Sequence, residues 1–290
     1  MKKLATVGCC CAGCHVAILD LHERILPLLK DVELSHSYII SDVKAIPSDL
    51  DIVVVEGGIR TEHDAALAKE AREKAKYVVA LGSCACFGGL PSLANLYDTK
   101  EMMNYVYTMT PGTSAGEIPH VEIPRVTQKL EPISSCVKVD YEVPGCPPEP
   151  DDIALIIGGI LSGERVELPK KSVCDECERK RLEKPPAKVR RLFEEPEDKR
   201  CLLEQGYFCM GPATRGGCKA RCPNSAVPCD GCRGPSAVSW DQGLAMLDAL
   251  STITYENVKD YSLATHTGTF HRYTYASSLL AKLQGLVEKR

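Results

Sequence analysis

Apolar residues in the first half of the chain fall into short runs separated by helical stretches. LATVG (4–8), IVVVEGG (52–58) and YVVALGS (77–83) are nearly unbroken apolar segments that end in glycine or serine. Runs this short and this apolar predict strands buried on both faces. VKVDYEVPG (137–145) predicts a fourth strand. Between the first two runs, Ile18, Leu21, Ile25 and Leu28 recur at three- and four-residue spacing, which is one face of a helix, and Pro27 kinks or ends it. Thr61 and Asp64 have the spacing of a capping box that opens a helix over TEHDAALAKEAREKAK. DIALIIGGILSG (152–163) predicts a helix packing back on the strands. Buried strands alternating with helices predict a parallel sheet with both faces covered, an α/β domain over residues 1–168.

The pattern then changes. Residues 178–199, ERKRLEKPPAKVRRLFEEPEDK, are rich in charge and proline and read as a solvated linker. Beyond them cysteine, glycine and proline dominate and regular periodicity is weak. Such a stretch cannot bury much apolar surface, so residues 169–290 predict a loop-rich domain folded around metal. Only SLLAKLQGLVEKR (278–290) regains an amphipathic helical pattern.

Composition adds one decisive feature. The 290 residues are 44% hydrophobic and 26% charged with a net charge of −4, which fits a globular chain and favours neither nucleic acid nor membrane surface. No apolar run is long enough to span a bilayer. MKKLATVG leads straight into a strand without a signal region, which predicts a cytoplasmic protein. The outlier is 16 cysteines. A reducing compartment does not keep them as disulfides, so metal binding is the leading class, with the disulfides of hyperthermophile proteins as a distant alternative.

The cysteines form two groups. In the first half, Cys11 and Cys14 follow the first predicted strand, Cys84 follows YVVALGS and Cys146 follows VKVDYEVPG. All lie past the carboxyl ends of strands, which form one ligand-binding edge in an open α/β sheet. Four thiols distant in sequence are thus expected at one point. Zinc prefers two paired C-x-x-C knuckles. One C-x-x-C plus two single cysteines on glycine- or proline-bearing turns suits a cubane cluster better. A redox dithiol at Cys11 and Cys14 leaves Cys84 and Cys146 without a role. Cys9, Cys10, Cys86 and Cys136 read as packed structural thiols. In the second half, Cys174, Cys177, Cys201, Cys209, Cys218, Cys222, Cys229 and Cys232 supply two four-thiolate sites. Their spacing alone leaves two zinc sites open.

Together CAGCH (11–15), GSCA (82–85), PGCPP (144–148), CMGPATR (209–215) and PCDGC (228–232) resemble the small subunit of [NiFe] hydrogenases over nearly the whole chain. The resemblance implies a flavodoxin-like domain holding a proximal [4Fe-4S] cluster on Cys11, Cys14, Cys84 and Cys146. A two-cluster, ferredoxin-like iron–sulfur domain would follow. Its distal [4Fe-4S] cluster would sit on Cys174, Cys177, Cys201 and Cys209, and its medial [4Fe-4S] cluster on Cys218, Cys222, Cys229 and Cys232. Many membrane-bound members have histidine where this chain has Cys174, and proline near Cys222 with a three-iron medial cluster. The extra cysteine here implies a cubane. EGGIRTEHD and ALGSCACFGGLPSLAN are most similar to the gamma subunits of the cytoplasmic archaeal, F(420)-non-reducing, viologen-reducing group, with deazaflavin-reducing relatives second.

The resemblance implies electron transfer rather than bond-making. A partner large subunit would hold the nickel–iron centre and split H2. A small [2Fe-2S] subunit would lead on to heterodisulfide reductase in methanogenesis. Glu56, at the same sheet edge, is a candidate for proton transfer, with backbone binding as its plainer role. His15 is a candidate partner of a cluster sulfur, or simply a polar helix start. Subunits of NADH:quinone-type complexes share the fold and the P-G-C-P-P turn but lack the eight-cysteine extension. A zinc scaffold and a stand-alone ferredoxin are the remaining rivals.

Overall fold

The computed structural model describes all residues except 12, 115, 185, 187, 191, 198, 252–262 and 288–290. Its strands are β1 (Lys2–Gly8), β2 (Val32–Ser37), β3 (Leu50–Glu56), β4 (Ile59–Thr61), β5 (Ala75–Leu81), β6 (Val126–Glu131) and β7 (Tyr141–Val143). Five of them form one sheet in the order β2-β1-β3-β5-β7, with every neighbouring pair parallel. Counted among themselves, these strands run 2-1-3-4-5, the flavodoxin order, whose switch point lies between β1 and β3. β4 and β6 form a separate antiparallel pair.

Alternate residues of the central strands serve opposite cores, as the apolar runs require. Val53, Val55, Val78 and Ala80 pack with Ala68 and Ala71 of helix Glu62–Lys74. Ile52, Val54, Val79 and Leu81 pack with Ile153, Ile156 and Ile160 of helix Pro150–Ser162. The capping box forms: Asp64 N donates to Thr61 Oγ1 at 3.1 Å and Thr61 N donates to Asp64 Oδ2 at 2.8 Å.

Two expectations change. The helix expected over residues 18–28 is divided into Val16–Leu19, a 3-10 turn at His22–Arg24, and Ile25–Asp31. Pro27 lies in the first turn of the last piece, where a missing N–H breaks no helical hydrogen bond. β2 is an additional strand at the sheet edge. Its sequence, VELSHS, is of mixed polarity, with no apolar run to mark it.

Beyond residue 168 the described chain has short helices, turns and isolated bridges around a third core that includes Val173, Leu202, Tyr207, Met210 and Phe270. It is fastened to the sheet by buried groups. Arg233 is 1% exposed, and its Nη2 meets Asp152 Oδ2 at 2.5 Å. Gly234 has no room for a side chain beside the Phe87 ring. A buried carboxyl orders the last segment. Asp241 accepts hydrogen bonds from Leu244 N (2.9 Å) and Leu279 N (2.8 Å) and lies 3.1 Å from His271 Nε2. These bonds join the start of helix Gln242–Ser251 to the start of helix Leu279–Val287.

Burial raises the Asp241 pKa, but His271 and the two backbone donors outweigh it and hold the group at about 2, against 3.8 ordinarily. A depressed carboxyl pKa adds stability above the ordinary value and loses it as pH falls through the folded one. Asp241→Asn is therefore expected to cost about 2 kcal/mol near neutrality. In acid denaturation series, that gap between variant and wild type should close between pH 3.8 and 2.

Candidate functional site: three sets of converging thiols

All sixteen cysteines are free. The sheet brings four of them to its carboxyl edge. Cys11 and Cys14 lie on the loop after β1, Cys84 in the helix after β5 (Gly82–Phe87), and Cys146 in the turn after β7. Cys84 lies close enough to Cys11, Cys14 and Cys146 for all three thiols to raise its pKa, after burial. Three glycines make room for them. A Cβ on Gly82 would lie 2.3 Å from Cys14 Sγ, and one on Gly89 2.4 Å from Cys84 Sγ. One on Gly57 would lie 2.8 Å from the Cys11 backbone. Burial pushes the Cys14 thiol up to about 12, helped by Glu56 and the neighbouring thiols, and pushes Cys84 higher still. Thiols in this environment stay neutral until a metal displaces their protons.

Glu56, 0% exposed at the end of β3, holds the loop that carries two of these thiols. Its Oε1 accepts from Gly13 N at 3.2 Å, and its Oε2 accepts from His15 N at 2.9 Å. The Tyr38 hydroxyl donates to Oε1, and His15 Nδ1 lies 2.9 Å from Oε2. Tyr38 fits because residue 8 is glycine: a Cβ there would lie 2.5 Å from its ring. His15 thus turns Nδ1 toward Glu56. Its Nε2 is buried without a hydrogen-bond partner, and the residue lines an apolar cavity of about 180 Å³ with Leu4, Ile18, Leu21 and Val54.

The second half forms two further sets. Cys174 interacts with Cys177, Cys201 and Cys209, and burial pushes it up to about 12 despite nearby Arg181. Cys209, raised by burial to about 11, accepts backbone N–H from Cys229 and Gly211. The third set links Cys232 to Cys218 and Cys222, with Cys229 beside Cys232. Among the described residues, no three His, Cys, Asp or Glu side chains close on a single metal ion.

The sets touch one another through Cys229 and Cys232. Burial raises the Cys232 thiol to about 11, against a hydrogen bond from the Cys146 backbone N–H. Ser83, beside Cys84, donates its hydroxyl to the Cys232 carbonyl and accepts from Gly145 N at 3.1 Å. At the other side, Cys229 N donates to Cys209 Sγ at 3.3 Å.

The remaining cysteines pack elsewhere. Cys86 is buried in the sheet core, with its thiol 3.5 Å from Ala80 O. Cys9 and Cys136 pack against the same core, while Cys10 is exposed. Sequence reasoning missed Tyr38, Ser83 and Arg233. Ser83 lies inside the GSCA motif, but nothing in the chain's pattern pairs Tyr38 with Gly8.

A flavodoxin-order sheet with four thiols at its carboxyl edge, followed by an eight-cysteine module, defines the class of hydrogenase small subunits. Residues 11–160 match the family model described as NADH ubiquinone oxidoreductase, 20 Kd subunit. The chain is 48% identical over 244 residues to the vhu F420-non-reducing hydrogenase subunit of Methanocaldococcus jannaschii, covering 84% of this chain and 85% of that one. It is 32% identical over 309 residues to the F420-non-reducing hydrogenase iron-sulfur subunit of Archaeoglobus profundus, covering 94% and 95%. A crystal structure of NAD+-reducing [NiFe]-hydrogenase in the H2-reduced state matches with TM-score 0.55 and 30% identity, over 58% of this chain and 95% of that chain. Within that class, the chain belongs to the family of F420-non-reducing hydrogenase iron–sulfur subunits. Full-length relatives of this kind separate it from the respiratory-complex reading, which the 11–160 match alone would leave standing.

Replacing Gly82, whose φ is +85°, with alanine is expected to strain the turn by about 1 kcal/mol and to displace Cys14. In the anaerobically purified complex, iron bound by this chain should fall by about four atoms. Tyr38→Phe should retain the iron and alter the electron paramagnetic resonance line shape of the site nearest Glu56.

Proposed function

We propose that this chain is the electron-transfer small subunit of a cytoplasmic [NiFe] hydrogenase. Residues 1–168 would form its flavodoxin-like module and residues 169–290 its two-cluster module. Cys11, Cys14, Cys84 and Cys146 would hold a proximal [4Fe-4S] cluster. Cys218, Cys222, Cys229 and Cys232 would hold a medial one, and Cys174, Cys177, Cys201 and Cys209 a distal one. These clusters, when bound, supply one-electron carriers of tunable potential.

One observation carries the reading. The C-x-x-C at 229–232 contacts both other thiol sets: the hydroxyl of Ser83, beside Cys84, donates to the Cys232 carbonyl, and Cys229 N donates to Cys209 Sγ. Three separate structural metal sites would not need this continuity. The backbone N–H groups on Cys232 and Cys209 also favour their thiolate forms over neutral thiols. The glycine cradles leave space where cluster and chain must approach closely.

In this assembly the large subunit holds nickel and iron, and H2 oxidation there releases two protons and two electrons. Electrons would pass along this chain to a small [2Fe-2S] subunit and on to heterodisulfide reductase. A deazaflavin-reducing complex is the second assignment. Glu56 holds the proximal loop in place through Gly13 and His15. Its hydrogen-bonded contact with Tyr38 and His15 also offers a proton route at the same edge. No helix among the described residues is long and apolar enough to cross a membrane.

The test is metal content and spectroscopy of the complex purified without oxygen. This chain should contribute about twelve iron atoms, accompanied by about one nickel per copy, and reduction by H2 should develop three interacting paramagnetic centres. Zinc in place of iron, or iron without nickel, would overturn the assignment.

A further inference from the structure

Asp230 stands inside the C-x-x-C that joins the thiol sets, between Cys229 and Cys232. Its Oδ1 accepts from Arg272 Nη1, and its Oδ2 accepts from the Tyr273 hydroxyl at 3.1 Å. Arg272 and Tyr273 lie in the turn that follows helix Leu263–Phe270. Buried side chains lock that turn to the C-x-x-C. Thr274 Oγ1 donates to Gln242 Oε1 at 3.3 Å, and Gln242 Nε2 donates to Gly231 O at 2.9 Å. His271, in the same turn, lies 3.1 Å from Asp241 Oδ1. A surface ion pair is ordinarily loose and contributes little to stability. Here the backbone on both sides of the pair is held from below, so the two charges keep their place.

That place is the seam between the first and third thiol sets. Burial is the main reason that the Cys146 and Cys222 thiols are raised, and Asp230 adds to both. Burial also raises the Tyr273 hydroxyl, followed by Asp230 and then by the thiols of Cys146 and Cys232. Ser83 closes the same seam, donating to Cys232 O and accepting from Gly145 N. The neighbouring cations have partners of their own: Arg221 meets Glu149 at 2.7 Å, and Arg233 meets Asp152 at 2.5 Å. Asp230 therefore acts on thiols of two sets, and Arg272 is the cation that balances it.

We propose that Asp230 and Arg272 are a shared electrostatic control of the first internal electron step, setting the potentials of the clusters on Cys146 and on Cys232 together. The inference rests on the electron-transfer reading above. In that step one cluster is oxidised by one electron and the other is reduced by one. Each reduction adds a negative charge, so a nearby carboxylate opposes it and a nearby guanidinium favours it. A charge lying between two carriers shifts both in the same direction. The driving force from one to the other is then preserved, while both move relative to H2 and to the next carrier. Asp230 is 48% exposed and Arg272 31%, so water screens part of each field. Removing one charge is expected to change the reduced-to-oxidised ratio of each cluster about fivefold.

The test is a redox titration of the intact complex, purified without oxygen and followed by electron paramagnetic resonance, with iron content measured alongside. Asp230→Asn leaves Arg272 unbalanced and should raise the reduced-to-oxidised ratio of both clusters about fivefold at a fixed potential. Arg272→Gln leaves Asp230 unbalanced and should lower both ratios by about the same factor. The two substitutions together should return each ratio to within about twofold of the unaltered complex, as should Arg272→Lys alone. If one single variant loses iron, the sign of the shift in the other still decides. No shift, shifts of the same sign in both single variants, a shift confined to one cluster, or loss of iron in both would overturn the proposal. An unaltered complex in which H2 reduces no paramagnetic centre would instead overturn the electron-transfer reading beneath it.

Discussion

The buried ion pair between Arg233 and Asp152 is the constraint on which the arrangement of the thiol sets depends. Arg233 directly follows Cys232, and Asp152 begins the helix that covers one face of the sheet. Both side chains are almost wholly out of water. Burial raises the Asp152 pKa even with the guanidinium alongside, so the pair is not there for cheap stability. Replacing such a pair by apolar side chains is often neutral or stabilising, whereas removing one partner is severe. What the pair fixes is position. It sets the Cys229–Cys232 turn against the sheet edge, and the Ser83 hydroxyl then reaches the Cys232 carbonyl. Without that register, the hydrogen bond from Cys146 to Cys232 would have no reason to form.

From this register follows the electrostatic problem of the molecule. Under the proposed assignment twelve thiols in three sets would all become anionic ligands, yet burial pushes those in the interior strongly toward neutrality. The chain offsets this with backbone dipoles as well as cations. Cys209 receives two backbone N–H donors and Cys229 and Cys232 one each, while Arg181, Arg221 and Arg233 lie near Cys174, Cys222 and Cys232. Backbone donors can be placed where a lysine or arginine would have to be desolvated, and they do not move with salt or pH. Under the same assignment, folding of the C-terminal module would be coupled to cluster binding, because ligand binding adds folding free energy.

The sheet was legible because buried parallel strands leave continuous apolar runs. That legibility ended where strands were polar. β2 lies at the edge with VELSHS, β4 is three residues long and β6, VTQKLE, is mostly polar, so none carries a run to detect. The convergence of Cys11, Cys14, Cys84 and Cys146 followed from the rule that carboxyl ends of parallel strands share one edge. The grouping in the second half came only from resemblance, since eight cysteines without regular structure admit many pairings. Tyr38 was invisible because its partner is an absence, the missing side chain of Gly8 on the adjacent strand. Arg233 looked like one more charge after a cysteine, since burial of a charge depends on a tertiary partner 81 residues away.

The two ends of the proposed wire present different surfaces, and the difference matches the lifetime each contact needs. Around the first thiol set the exposed side chains are apolar: Val16 and Leu19 follow the C-x-x-C, and Ile39 and Ile40 follow Tyr38. Apolar area of this kind suits a partner that stays bound, because it gains free energy only through continuous burial. Around Cys174 the surface is charged, with exposed Asp175 and Glu178 beside it and exposed Lys180 and Arg181 just beyond. Charge accelerates encounter over distances of a Debye length and adds little to the lifetime of a complex. A catalytic subunit that must stay in register with a buried metal site is served by the first kind of surface. Under the proposed assignment, the exterior of the chain would distinguish the two ends of the wire as the order of its thiol sets does.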